Sequence, residues 1–390
     1  GRRRMIEMKA LIYIIIFFAF FDLFTQLPIM SPLAQSLGAT PFLTGLAVGM
    51  YSFSNTIGNV SSGFLTDQKG PFRVLLVGLL LTGLVLFAYQ LAFHAWSLLV
   101  VRFVHGLTAG LIVPAAFTYL ANETAKERKG KGAAISGAFV GMAAVIGPAF
   151  SGIVAARSSE TTVLSITACF MLLLGALAFF LLRSKKIPKK AGGKEPYIPV
   201  RTFFRSVPVL KAFSGAFFLM FSQGVLAYML PLKVIELGRD TQTSGMLLST
   251  FGIVAILVFL LPINNLFDRL NPLNTLAFGM ITMGVSLVLV SASGSVPILY
   301  VILALYGVGF AFLFPSINTL LIGATKEANR GKAYGYFYAF FSFGVVIGSG
   351  LTGLLALSAN EGFLFTGILM ICVAVFLRFY RYSARIEEHG

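Results

Sequence analysis

Runs of about 20 apolar residues, separated by short polar breaks, recur along the whole 390-residue chain. A helix needs roughly 20 such residues to cross the hydrocarbon core of a bilayer. The pattern predicts twelve spans, near 10–30, 43–66, 74–93, 97–121, 133–156, 163–182, 212–235, 243–262, 273–292, 297–322, 333–357 and 363–380. The expected fold is an all-α membrane protein with twelve transmembrane helices. The first run exceeds a signal-peptide core and lacks a small-residue cleavage site followed by soluble sequence, so it reads as a retained span.

Two charges interrupt these runs. Asp22 stands in YIIIFFAFFDLFTQLPIM and Arg102 in the fourth span. A carboxylate at the bilayer centre costs about 2.5–3.5 kcal/mol on insertion scales, so it is expected to face a protein interior or a water-filled cavity. At 1.5 Å per residue, Asp22 lies about 18 Å from the side where helix 1 enters. Arg102, entering from the other side, lies about 22 Å from that same side of a core roughly 30 Å thick. The depths match and the signs are opposite. Asp22 and Arg102 are therefore expected to communicate, directly or through water, either as a permanent ion pair or as a proton switch. Burial and a neighbouring arginine push a carboxylate's proton affinity in opposite directions, so a conformational change altering either one converts acceptor into donor.

Composition sharpens the class. The chain is 57% hydrophobic and 11% charged, against about 25% charged in soluble domains. Its net charge of +16 points to nucleic acid only until the charges are placed. All but four of the 30 Lys and Arg fall on the side bearing both termini; Arg157, Lys233 and Arg239 fall on the other side and Arg102 within a span. That is the positive-inside asymmetry. It predicts a multi-pass protein of a bacterial inner (plasma) membrane with both termini cytoplasmic, and no nucleic-acid partner. Cys169 and Cys372 read as single buried thiols, and three histidines without HExxH or a Cys/His cluster predict no metal and no cofactor.

After the sixth span, RSKKIPKKAGGKEPYIPVRTFFRSVPVLK breaks the pattern. It reads as a solvated basic linker beside anionic lipid headgroups. Across it the chain repeats at a constant offset of 201 residues: Asp67 falls on Asp268, Gly106 on Gly307, Pro114 on Pro315, Gly130–Lys131 on Gly331–Lys332, and Gly147 on Gly348. Two six-helix bundles of the same hand are expected, 1–183 and 212–390, with the linker at 184–211. Such a parallel repeat, related by an axis along the membrane normal, permits rocking of one half against the other around a midplane site. At the same offset Asp22 maps onto Gln223 and Arg102 onto Leu303, so the charge chemistry is confined to the first half.

Four motifs carry a family resemblance over essentially the whole chain. Gly63, Leu65, Asp67, Gly70 and Arg73 resemble G-x-L-a-D-r-x-G-r-k between helices 2 and 3, with Gln68, Pro71 and Phe72 replacing basic residues. RFVHGLTAG resembles R-x-x-q-G, with Arg102 as its arginine and His105 replacing glutamine. Gly147, Pro148 and Gly152 are similar to the G-P-x-x-G-G element of exporting members, with Ser151 in place of the first closing glycine. Pro28 and Pro32 loosely resemble the P-x-x-P of drug exporters. The chain resembles the major facilitator superfamily, in particular its drug/proton antiporters. The resemblance implies alternating access around a central cavity lined by helices 1, 4, 7 and 10, and an exporter of small lipophilic or amphiphilic compounds coupled to protons. A proton symporter or a uniporter for a metabolite, siderophore or lipid is the alternative on the same fold. No nucleophile–base or metal cluster points to an enzyme.

The remaining polar and aromatic residues distribute around that frame. Asp67 and Asp268, at cytoplasmic helix ends near positive helix-dipole ends, are expected to latch the halves; such placement is worth typically about 0.3–1 kcal/mol. Pro148 kinks helix 5, and small residues there permit close contact, with helix 8 the expected partner. Gln26, Asn55, Asn59, Gln223 and Asn318 are cavity candidates. Tyr228, Tyr306, Phe310, Phe337 and Tyr338 form aromatic walls suited to lipophilic or cationic ligands, with packing and lipid contact as the competing role. His105, one turn from Arg102, is read as a packing histidine or a proton relay. Membrane lipids are the only other partner, and the chain is expected to act as a monomer.

Overall fold

The computed structural model of the chain describes residues 1–123, 129–182, 199–261, 269–325 and 327–380, and among these every regular element is a helix. The first half holds α1 (Arg2–Thr25), the short α2 (Met30–Ser36), α3 (Pro41–Lys69), α4 (Pro71–Ala88), α5 (Ala95–Gly110), α6 (Ile112–Asn122), α7 (Lys129–Arg157) and α8 (Glu160–Leu181). The second holds the short α9 (Val200–Arg205), α10 (Val207–Glu236), α11 (Thr241–Leu260), α12 (Pro272–Ala292), α13 (Val296–Ala324), α14 (Glu327–Leu354) and α15 (Ala359–Phe379). Among the described residues eleven segments are long and apolar enough to cross a membrane, with α5 and α6 forming one of them. The other spanning-length helix is α3, 29 residues long. Its serines, threonines and asparagines lower its hydropathy because it packs between α5 and α14 instead of facing lipid all round.

Local chemistry sets the boundaries. Pro114 lacks the N–H that would bond the carbonyl of Gly110, and the fourth span divides at Leu111. Between α3 and α4 the chain turns at Gly70 with φ of 86°, a left-handed conformation that favours glycine, and Pro71 opens α4. Ser358 and Glu361 close a reciprocal capping box at the start of α15.

The halves meet along α3 against α14 and α7 against α11. Small residues let these backbones touch. A Cβ on Gly152 would lie 2.6 Å from the carbonyl of Thr241, and one on Gly245 would fall 3.0 Å from the Cα of Gly152. On the same face of α11, Ser249 Oγ donates to the Val145 carbonyl at 2.6 Å. Gly49 faces Val346 and Ser349 of α14. Nearer the face that carries the termini, Thr56 bonds Ser342 and the rings of Phe53 and Phe343 lie 6.2 Å apart. Still nearer that face, a Cβ on Gly63 or Gly137 would meet none of the described residues within 4 Å. Among the described residues the seam is thus packed at the end away from the termini and loosens toward the terminal face.

Several expectations change. The span after the linker begins at Val207, inside the stretch read as linker, and Lys211 is buried there with Nζ donating to the Tyr380 carbonyl at 2.9 Å. Lys233 is no loop residue: it is buried in α10 and its Nζ donates to the carbonyl of Val290 at 2.7 Å and to Asn360 Oδ1. Its long stem and flexible ammonium reach one backbone carbonyl and one side-chain amide oxygen. Cys169 and Cys372, expected as buried thiols, are exposed on α8 and α15. Asp268 and residues 184–198 of the basic stretch lie outside the described residues.

Candidate functional site

Asp22 on α1 and Gln26 at its C-cap are four residues apart and share a face; on α5, Arg102 and His105 are three apart and do the same. The helices that carry them are brought together by α3. Gly106 of α5 sits where a Cβ would lie 2.5 Å from the Tyr51 carbonyl, so α3 and α5 touch backbone to backbone. That approach puts the carbonyls of Ala47 and Val48 within reach of Arg102.

The side chains close a ring. Asp22 Oδ2 lies 2.8 Å from His105 Nε2, and His105 Nδ1 lies 2.7 Å from the Tyr89 hydroxyl. Arg102 Nη1 reaches that hydroxyl at 3.5 Å and also donates to Gln26 Oε1. Gln26 Nε2 donates to the Asp22 carbonyl at 2.8 Å and lies 3.5 Å from Asp22 Oδ1. Arg102 is fixed further by Nε to Ala47 O at 2.7 Å and Nη2 to Val48 O at 3.1 Å. Tyr51 packs its ring edge on His105, with centroids 4.8 Å apart, and lies 5.3 Å from the Arg102 guanidinium carbon. Asp22 and His105 are wholly buried.

A neutral His105 satisfies every link. A carboxylate at Asp22 accepts Nε2–H of a neutral His105, Nδ1 accepts the Tyr89 O–H, and the Tyr89 oxygen and Gln26 Oε1 accept from Arg102. A proton added at His105 Nδ1 turns that nitrogen from acceptor to donor, and the Tyr89 hydroxyl must then swing its hydrogen out of the ring. Buried networks of this kind are costly when partly satisfied.

Asp22 and Arg102, expected to communicate directly or through water, are joined through a side chain instead. His105, read as packing or relay, is the partner of the carboxylate, and Gln26 is the bridge to the arginine. Tyr51 and Tyr89 escaped notice because tyrosines are common in such spans and Tyr89 lies in a 3-10 turn, Tyr89–Leu91, beyond the end of α4.

Beside the ring lies a cavity of about 90 Å³ shared by both halves. Gln26, Tyr51, Ser52 and Arg102 face it from the first half, and Met220, Gln223, Ala227 and Val345 from the second. Other candidates lie elsewhere. Asn55 donates to the Gly106 carbonyl at 3.3 Å, and Asn59 donates to Asn55. Tyr228 bonds the Pro41 carbonyl at 3.2 Å across the seam. Tyr306 is buried behind the wall, bonded to Ser222 and Gln223. Phe310 stacks on Phe314, Phe337 is buried against Phe341, Tyr338 is exposed and Asn318 is half-buried. Gly147 faces Phe24 of α1 within the first half, whereas Gly152 and the Pro148 carbonyl face α11. Asp67 and Arg73 are exposed on either side of the Gly70 turn, and Gly63 is exposed about two helical turns before it.

A model of the Major Facilitator Superfamily matches residues 12–257 and 212–389. Among curated proteins, the chain is similar to Multidrug resistance protein MdtG of Escherichia coli O9:H4 (strain HS), 27% identical over 351 residues, covering 87% of this chain and 84% of the relative. It is likewise 28% identical over 331 residues to MdtG of Salmonella typhimurium (strain LT2), covering 82% and 80%. Among solved structures it resembles a bacterial homolog of the human lysosomal transporter Spinster, with a TM-score of 0.77 and 11% identity over 97% of this chain and 95% of that one. A point mutant of the nucleoside transporter NupG gives a TM-score of 0.78 and 15% identity over 95% and 98%. The likeness to these structures concerns the fold. The chain belongs to the major facilitator superfamily: a membrane transporter built from two pseudo-symmetric six-helix bundles.

Proposed function

We propose that this transporter exports small lipophilic or amphiphilic compounds in exchange for protons, acting as a monomer in a bacterial inner membrane with both termini cytoplasmic. One observation carries the reading: a wholly buried carboxylate, Asp22, is hydrogen-bonded to a histidine and linked by Gln26 to an arginine on the wall of a cavity between the halves. Intramembrane ionisable groups that face a bundle interior mark proton relays and substrate pathways. The relatives named multidrug resistance proteins support efflux, and Gly147, Pro148 and Gly152 support it independently.

In this reading Asp22 and His105 hold the exchanged proton, and rearrangement of the ring on protonation is felt in the cavity through Gln26 and Arg102. The packed seam at the far end and the looser terminal end supply two ends that open in turn. Asp67, with Gly63, Gly70 and Arg73, serves as a latch at the terminal face, and Asp268 as its counterpart. A second reading, symport or uniport of a metabolite, siderophore or lipid, draws on the same arginine: a cation on the wall beside a protonatable pair favours an anion and a proton together.

The test is proteoliposome transport under an imposed pH gradient, with wild type and Asp22→Asn compared for lipophilic cations, anions and neutral compounds. Exchange predicts uphill movement opposite to the proton flow, lost in the variant. Movement in the same direction as the protons selects symport. Uphill transport undiminished in Asp22→Asn removes Asp22 from the coupling.

A further inference from the structure

Among the described residues on the cavity wall, Arg102 alone is charged. It is nearly fully buried, and it has no carboxylate within ion-pair distance among the described residues. Its neighbour by depth, Asp22, is held by His105 instead. Four of the five guanidinium N–H groups donate to neutral oxygens, of Ala47, Val48, Gln26 and Tyr89. The second N–H of Nη2 has no acceptor among the described residues. Ser52, on the same wall, also offers a hydroxyl for which the described residues supply no partner.

The nearest counter-charge to Arg102 among the described residues, Asp22, lies beyond Gln26, so a buried guanidinium with an N–H to spare is favoured by an anion in direct contact. Arg102 is fixed by its bonds to the α3 backbone, so it cannot turn away to find one. The opposite wall is apolar apart from Gln223, with Met220, Ala227 and Val345, and Leu27 and Met30 add apolar surface on the first half's side. Tyr306, Phe310 and Phe337, which would have suited a cation, do not line this cavity.

We propose that Arg102 forms an oxyanion subsite, and that the substrates of this cavity are amphiphiles with a compact sulfonate-, carboxylate- or phosphate-like head and an apolar body. The planar guanidinium presents its free N–H, and can exchange the Gln26 bond, to two oxygens of one head. The apolar body lies against Met220, Ala227 and Val345. The inference rests on the reading of this cavity as the substrate site and holds for either direction of proton coupling.

The test is equilibrium dialysis of the purified full chain in detergent against three ring compounds of similar size: benzenesulfonate, neutral methyl phenyl sulfone and phenyltrimethylammonium. The two ions keep their charge at every working pH. Benzenesulfonate is expected to bind at least about tenfold more tightly than the ammonium, with the sulfone between them. Arg102→Gln is expected to abolish that preference. Because this variant also frees two α3 carbonyls and can misfold, Ala227→Phe provides an independent check: it narrows the cavity from the opposite wall, leaves Arg102 alone and is expected to weaken benzenesulfonate binding about tenfold or more. Equal or tighter binding of the ammonium, no binding of benzenesulfonate, or undiminished binding in Ala227→Phe each overturns the subsite. Passing this test without proton-driven efflux keeps the subsite and loses the exchange; efflux without the ion preference does the reverse.

Discussion

Asp22 and His105 meet across α1 and α5 at 2.8 Å, and the residues 201 positions later, Gln223 and Tyr306, meet across α10 and α13 at 2.9 Å. The repeat has kept a polar bond between the equivalent helices of each half. In the first half it joins a carboxyl group to an imidazole; in the second it joins an amide to a phenol. The two bundles are alike in geometry and unlike in chemistry, and each presents one glutamine to the shared cavity, Gln26 and Gln223.

Replacing Asp22 by Asn keeps the shape of the ring and removes the carboxylate. Accumulation driven by a pH gradient in proteoliposomes is expected to fall at least about tenfold, since a group that cannot change charge cannot couple. Downhill movement of the same compound, measured by counterflow, should survive.

His105→Leu tests the histidine link. His105 joins the Asp22 carboxylate to the Tyr89 hydroxyl, and leucine leaves both without that partner. Accumulation driven by a pH gradient should fall at least about tenfold; undiminished accumulation would contradict a part for His105 in the coupling.

Gln26→Leu cuts the bridge while leaving both charges. Arg102 Nη1 and Asp22 Oδ1 each lose a partner, costing about 1–3 kcal/mol per unsatisfied buried group. Thermal unfolding in detergent should fall by several degrees. Proton release on substrate addition, followed with a pH indicator, should shrink relative to wild type.

Gly245→Leu forces a side chain against the carbonyl of Pro148 and the Cα of Gly152. The far end of the seam then no longer seals, and the population should move toward the form open at that end. Spin labels at Thr40 and Leu355, with Cys169 and Cys372 first replaced, should report longer and broader distances than in the otherwise identical protein without the Gly245 change.

Much of this was legible in the chain. Length and hydropathy of the runs dictate membrane helices because no other backbone satisfies itself in lipid, and the constant offset identifies two like halves. The isolated charges mark Asp22 and Arg102, since apolar runs do not carry charge without cause. Depth follows from helix rise alone. Rotation about each helix axis does not, and it decides partners. In a membrane bundle leucine and phenylalanine serve equally against lipid and against another helix, so periodicity gives no face. Only packing reveals that α3 presses on α5 at Gly106, drawing Arg102 to the Ala47 and Val48 carbonyls and leaving Asp22 to His105. The same rotations hide Tyr306 behind Gln223, bury Lys233 and turn Cys169 outward. Residue order and helix rise dictate which charges enter the membrane and how deep they sit. Packing in three dimensions selects the neighbours they meet, because hydrogen bonds depend on direction and burial alone does not.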